Sequence, residues 1–116
     1  MGDLLVKLYD LPANLSRTVP SYRLKRPLAS ERSTVVAWVE DHFGELWASE
    51  VAVSFSGHPI RCFVALDGNS DLSGFACYDT RFRGVFGPLG VVEPSRGSGV
   101  GTALLARSLD AMAEMG

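Results

Sequence analysis

The sequence predicts an α/β domain, a mixed and mostly antiparallel sheet flanked by helices, and three observations carry that reading. Apolar residues recur at helical spacing through Val36, Val39 and Phe43. They alternate with a period of two from Cys62 to Tyr78. They return to helical spacing at Leu104, after a glycine-rich turn over residues 95–101. The 116 residues hold 47% apolar side chains and a net charge of −2, the composition of one folded domain rather than a disordered chain. A domain of this length buries roughly two thirds of the surface its unfolded chain exposes, so each strand of the core counts.

Residues 4–11 alternate loosely and end at Pro12, which reads as an N-terminal arm or extra strand within residues 1–20, set apart from a main unit over residues 21–116. Residues 21–28 give a second strand that Pro27 closes. Ser30 offers an N-cap oxygen and Glu31 a first-turn anion, so a helix is expected over about 31–43. Gly44 breaks it, and Leu46, Trp47, Val51 and Phe55 continue helical spacing over 45–55. After the turn at 56–59, Cys62, Val64 and Leu66 alternate with Phe63 and Ala65. The loop Asp67-Gly68-Asn69-Ser70-Asp71 has turn chemistry, and residues 72–79 alternate again, which together predict an antiparallel hairpin. A third strand over about 84–93 is interrupted by Gly87-Pro88, where a missing donor and a permissive backbone predict a bulge or splay. A final helix over about 98–115 carries Leu104, Leu105, Leu109 and Met112 on one stripe.

The chemistry-bearing stretch is Val91-Val92-Glu93-Pro94-Ser95-Arg96-Gly97-Ser98-Gly99-Val100-Gly101-Thr102, a strand turning through glycines into a helix. The first N–H groups of a helix lack intrahelical partners and lie at the positive end of its dipole. Glycines let a phosphate approach them closely, so this turn reads as an anion site with Arg96 at its mouth. A Walker loop is disfavoured because no lysine occurs in the turn. A dinucleotide fingerprint is disfavoured because the third glycine position is Thr102 and no acidic ribose partner follows.

Arg96, Gly99 and Gly101 meet the coenzyme A signature Arg/Gln-x-x-Gly-x-Gly/Ala. With the flanking Gly87-Pro88-Leu89-Gly90-Val91 and Thr102-Ala103-Leu104-Leu105, and the order of elements, residues 21–116 resemble the GNAT N-acetyltransferase superfamily. The resemblance implies an acyl-CoA N-acyltransferase fold and direct transfer of acetyl from acetyl-coenzyme A to a primary amine of a small molecule or protein. The backbone around Val91 and Val92 would hold the pantetheine and acetyl carbonyl, and Gly97, Ser98, Gly99, Val100, Gly101 and Thr102 the pyrophosphate. A backbone N–H would stabilise the developing oxyanion. In that family the signature helix is followed by a fifth strand and further elements, including the helix that carries a thiolate-protonating tyrosine. The sequence therefore reads as a fragment of such a domain, as a chain that completes its sheet by pairing with a second copy through the open edge, or as a half-domain. Weak coenzyme binding and little turnover are expected of these residues alone. The alternatives from other classes are a non-catalytic module that holds coenzyme A or phosphate, and a structural half-domain.

No catalytic residue is assigned. Glu93 could face the acceptor as a general base, with Asp79 of similar standing, although a solvated strand end is the commoner fate of such carboxylates. Tyr22 and Tyr78 could put hydroxyls into a pocket, though tyrosines on alternating strands are usually core. His42, Glu45 and Trp47 fall at the helix–helix junction that shapes the acceptor pocket in the resembled family, while Trp38 and Trp47 also fit core packing. Cys62 and Cys77 lack metal-ligand spacing and read as buried reduced thiols, and no metal is expected. A sequence pI near 5.6, with basic residues clustered only at Arg23, Lys25 and Arg26, argues against nucleic acid. The absence of a long apolar run, a signal-peptide pattern or a myristoylation signal points to the cytoplasm.

Overall fold

The structure, a computed structural model, describes residues 21–80 and 86–115. The expected arm over residues 1–20 lies outside the described residues, as does the stretch 81–85 that leads into the third predicted strand. Strand β1 (Arg23–Lys25) is followed by a 3-10 turn (Ala29–Glu31) and by helices α1 (Arg32–Phe43) and α2 (Glu45–Ser54). The hairpin β2 (Cys62–Leu66) and β3 (Leu72–Tyr78) comes next, then β4 (Phe86–Val91), a 3-10 turn (Glu93–Ser95) and helix α3 (Val100–Met115). The four strands form one sheet in the order β1-β2-β3-β4. Every described pair is antiparallel, so the mixed character expected of the sheet has no counterpart among these strands.

Period-two alternation sends β2 and β3 side chains to two different cores. Phe63, Ala65, Ala76 and Tyr78 pack against Val100, Leu104, Leu109 and Met112 of α3. Cys62, Val64, Phe75 and Cys77 pack against Val35, Val39, Ala48 and Val51 of α1 and α2. Both faces are therefore covered, which is why all five residues of β2 are buried and the strand lacks a polar side. Fully burying a residue such as Leu104 or Leu109 stabilises the domain by about 1.5–3 kcal/mol.

Glycine and proline set where the elements stop. The span Ala76 to Tyr78 of β3 faces Leu89 to Phe86 of β4, one residue more, so the predicted bulge is present on β4 at Gly87-Pro88. Gly87 has φ +124 and the Gly87–Pro88 peptide is cis. Strand β4 closes at Val91, two residues before the predicted limit, because Glu93–Ser95 winds into a 3-10 turn with Pro94 inside it. Helix α3 begins at Val100 rather than Ser98, since Gly97 and Gly99 sit at φ +85 and +92, outside helical space. Ser30 is not a cap. A 3-10 turn takes up Ala29–Glu31 and moves the start of α1 to Arg32. There the Glu31 carboxylate accepts the Leu28 N–H at 2.8 Å and the Lys25 ammonium at 3.0 Å.

Candidate functional site

The junction of β4, the glycine loop and the α1–α2 corner encloses a cleft of about 980 Å³. Its floor is Leu89, Gly90 and Val91, one wall is Ser95, Arg96, Gly97, Gly99, Gly101 and Thr102, and the other is His42, Phe43 and Trp47. The aromatic wall stands this close to the strand because Gly90 has no side chain. A Cβ there would lie 2.9 Å from Cε1 and Cζ of Phe43.

The loop wall is fastened on three sides. Tyr22 donates its hydroxyl to Ser95 Oγ at 2.8 Å across 73 residues of sequence, tying the loop to the start of β1. Ser98 Oγ donates to the Ser95 carbonyl at 2.6 Å and lies 3.4 Å from the Val100 N–H as an acceptor. Arg96 Nε donates to the Val91 carbonyl at 2.9 Å, which brings its permanent charge back to the end of β4. The first helical bond of α3 runs from the Ala103 N–H to the Gly99 carbonyl, so the N–H groups of Val100, Gly101 and Thr102 have no intrahelical acceptor. Gly97 is open on the side where a Cβ would stand, with nothing within 4 Å. Together these features give the cleft a cationic, side-chain-poor wall beside the N-terminus of α3, chemistry that can accommodate an anion.

The residues predicted from sequence divide accordingly. Arg96, Gly97, Gly99, Gly101 and Thr102 line the cleft with Val91. Val100 turns its side chain into the α3 core at 1% exposure, and Ser98 spends its hydroxyl inside the loop. The Val92 N–H donates to the Ser73 carbonyl at 2.9 Å. Backbone direction alternates along a strand, so the neighbouring Val91 points its amide groups to the outer edge of β4, consistent with its carbonyl meeting Arg96. Val92 instead lines a second cleft of about 500 Å³ with His42, Phe43, Leu72, Glu93, Pro94 and Arg96.

Glu93 is exposed in that second cleft, while Asp79 lies outside both. Tyr78 is a core residue, wholly buried, and its hydroxyl accepts from Arg26 at 2.6 Å. Arg26 also donates to the Ile60 carbonyl, and its guanidinium lies 4.6 Å from the Phe63 ring centroid. Trp47 and His42 line the large cleft and Glu45 does not. Trp38 stays in the α1–α2 core layer, edge-on to Phe75. The sequence reading did not assign Phe43, Leu89, Gly90 or Ser95 to the site, although Leu89, Gly90 and Ser95 stand in or beside the signature. Phe43 carries a helical-core signal, and only its contact with a glycine in β4 gives it this place. Cys62 and Cys77 are free, buried and opposite one another in the β2–β3 register. Among the described residues no group of side chains suited to a metal ion is found.

Comparison with known proteins adds to this geometry. The sequence model of the Acetyltransferase (GNAT) family matches residues 21–116. No curated protein matches the chain. Among solved structures, the chain is similar to a fungal multi-domain GH3 beta-N-acetylglucosaminidase described as containing a unique GCN5-related glucosamine N-acetyltransferase region. The TM-score is 0.70 at 17% identity, over 96% of this chain and 16% of that one. At that identity the likeness is one of fold.

Proposed function

The chain belongs to the acetyltransferase (GNAT) family, and from that premise we propose that it uses acetyl-coenzyme A to acetylate a primary amine of a small molecule or protein. The observation that carries the reading is the fastened glycine loop. Its helix-terminal N–H groups, its left-handed glycines and the Arg96 guanidinium converge on one cleft whose floor is the outer edge of β4. The residues present fit this co-substrate. Arg96, Gly97, Gly99, Gly101 and Thr102 would hold its diphosphate, and Val91 would face its pantetheine arm with edge amide groups that β3 does not use.

The co-substrate supplies an acetyl thioester, and the chain's own part is positioning and electrostatics. Ordered backbone donors stabilise charge that develops on a carbonyl oxygen without having to reorganise, which in related chemistry is worth about 2.7–4 kcal/mol per donor. The Val91 N–H is the donor the strand direction supplies. Phe43 and Trp47 bound the cleft opposite the glycine loop with an apolar wall.

The test is calorimetric and chemical. Acetyl-coenzyme A is titrated into the full chain, and thiol release is followed with glucosamine, a polyamine and a lysine peptide as acceptors. Gly99→Val is expected to lose the binding heat, because Gly99 sits at φ +92, where a β-branched residue is strained. No heat with the unaltered chain would overturn the proposal. Heat with no thiol release on any amine would replace it with a module that holds the coenzyme without transfer.

A further inference from the structure

The geometry points to His42 as the general base that takes the proton from the acceptor amine; this rests on the acetyl transfer proposed above and adds the residue that moves the proton. Gly44, at φ +102, ends α1, which leaves His42 and Phe43 in its last turn. Because Gly90 admits the Phe43 ring against β4, that turn docks one residue before Val91. His42, Phe43 and Arg96 are common to both clefts. One cleft runs along the glycine loop, and the other along Val92, Glu93 and Pro94. A donor filling the first and an amine filling the second meet where His42 stands.

The ring is also held in the tautomer a base requires. His42 Nδ1 lies 2.9 Å from the Trp38 carbonyl oxygen, and a carbonyl can only accept, so Nδ1 carries the proton of the neutral ring. The lone pair is then on Nε2. Trp38 packs on the same ring with centroids 4.8 Å apart, which limits its rotation. His42 is exposed, so a proton collected on Nε2 can pass to water. Among the described residues, the charged groups facing it across the clefts are Arg96 and Glu93 from the loop; β4 brings none, Glu40 and Asp41 share its own helix, and Glu45 of α2 lies outside both clefts. Glu93 reaches only the smaller cleft and, among the described residues, its carboxylate has no hydrogen-bond or ion-pair partner to orient it.

The proton balance is simple. An acceptor ammonium gives one proton to Nε2, and the freed nitrogen lone pair forms the C–N bond to the acetyl carbon. The C–S bond breaks and its electron pair leaves on sulfur. The nitrogen sheds a second proton as it becomes an amide; of the two, one neutralises the thiolate and the other goes to solvent.

His42→Gln and His42→Ala are compared with the unaltered full chain, using acetyl-coenzyme A and the best amine of the panel. The expected result is a fall in kcat of about a hundredfold or more, far beyond any change in coenzyme binding heat that follows from losing one side chain of the cleft wall. Loss of the acid limb of the kcat/KM profile and partial rescue of His42→Ala by added imidazole are expected with it. Nitrogen-15 NMR of the unaltered chain, which needs no turnover, should find the neutral ring protonated at Nδ1. A neutral ring protonated at Nε2, or a His42→Gln enzyme with unchanged kcat and acid limb, overturns the base alone. An unaltered chain that acetylates no amine overturns the proposed transfer, and the base with it.

Discussion

Replacing Gly90 with alanine tests how the cleft is built. The added Cβ would meet Phe75 Cε1 at 2.8 Å and Phe43 Cε1 and Cζ at 2.9 Å. Carbon atoms pack comfortably at about 3.5–4.0 Å, so three contacts must each open by more than half an ångström. Neither ring can yield alone. Phe75 is wholly buried, and both rings touch Trp47, with centroids 5.6 Å from Phe43 and 5.9 Å from Phe75. Overpacking of this kind costs about 1–3 kcal/mol, and the coupled aromatic layer places Gly90→Ala at the upper end, about 2–3 kcal/mol. At about 4 °C per kcal/mol for a chain of this size, Tm should fall by about 10 °C. Gly68→Ala is the matched control. Its Cβ meets nothing within 4 Å, so a change within about 0.5 kcal/mol is expected. Urea titration of the three proteins decides the matter. Equal midpoints for Gly90→Ala and the unaltered chain would mean that Phe43 does not rest on β4 and that the cleft wall is assembled some other way.

Tyr22→Phe deletes the hydroxyl that reaches Ser95 and should cost about 0.5–1.5 kcal/mol in urea unfolding, together with weaker heat on coenzyme titration because the loop loses its tie to β1; unchanged binding would separate the tie from the site. Burial, with the neighbouring Cys62 thiol adding to it, pushes the Cys77 thiol well up; both cysteines are buried, so reagents should reach them only on unfolding. The same shift has a sign in stability. The unfolded thiol ionises above about pH 8.5 while the folded one keeps its proton, so stability should decline as pH rises through that range, and less so in Cys77→Ala. The Leu28 N–H, and after it the Lys25 ammonium, lower the Glu31 carboxyl, so its contribution is present above about pH 4.3 and is lost as pH falls through the folded value. Glu31 is partly exposed, so Glu31→Gln should cost no more than about 1 kcal/mol at pH 7 and nothing at strongly acid pH, as read by denaturant midpoints.

Local periodicity and composition are enough to mark the elements and the backbone of the glycine loop. Spacing at 3.6 and at 2 marks α1, α2, α3 and the β2–β3 hairpin within a residue or two, because those periods are properties of local backbone geometry. Gly87-Pro88 announces its bulge, and Gly97 and Gly99 the left-handed turn that leads into α3, since the consequences of a missing Cβ or a missing N–H are local too. Tertiary structure decided what those pieces meet. That Tyr22 fastens Ser95, that Phe43 leans on Gly90, and that His42 stands where two clefts join are contacts between residues 47 to 73 positions apart. No period in the chain encodes them; they follow from the path that brings α1 and the β1 start back over the end of β4. The Ser30 cap failed for a local reason instead. The Glu31 carboxylate accepts the Leu28 N–H within its own turn, with the Lys25 ammonium beside it, so Ala29–Glu31 winds into a 3-10 turn that leaves Ser30 no capping position.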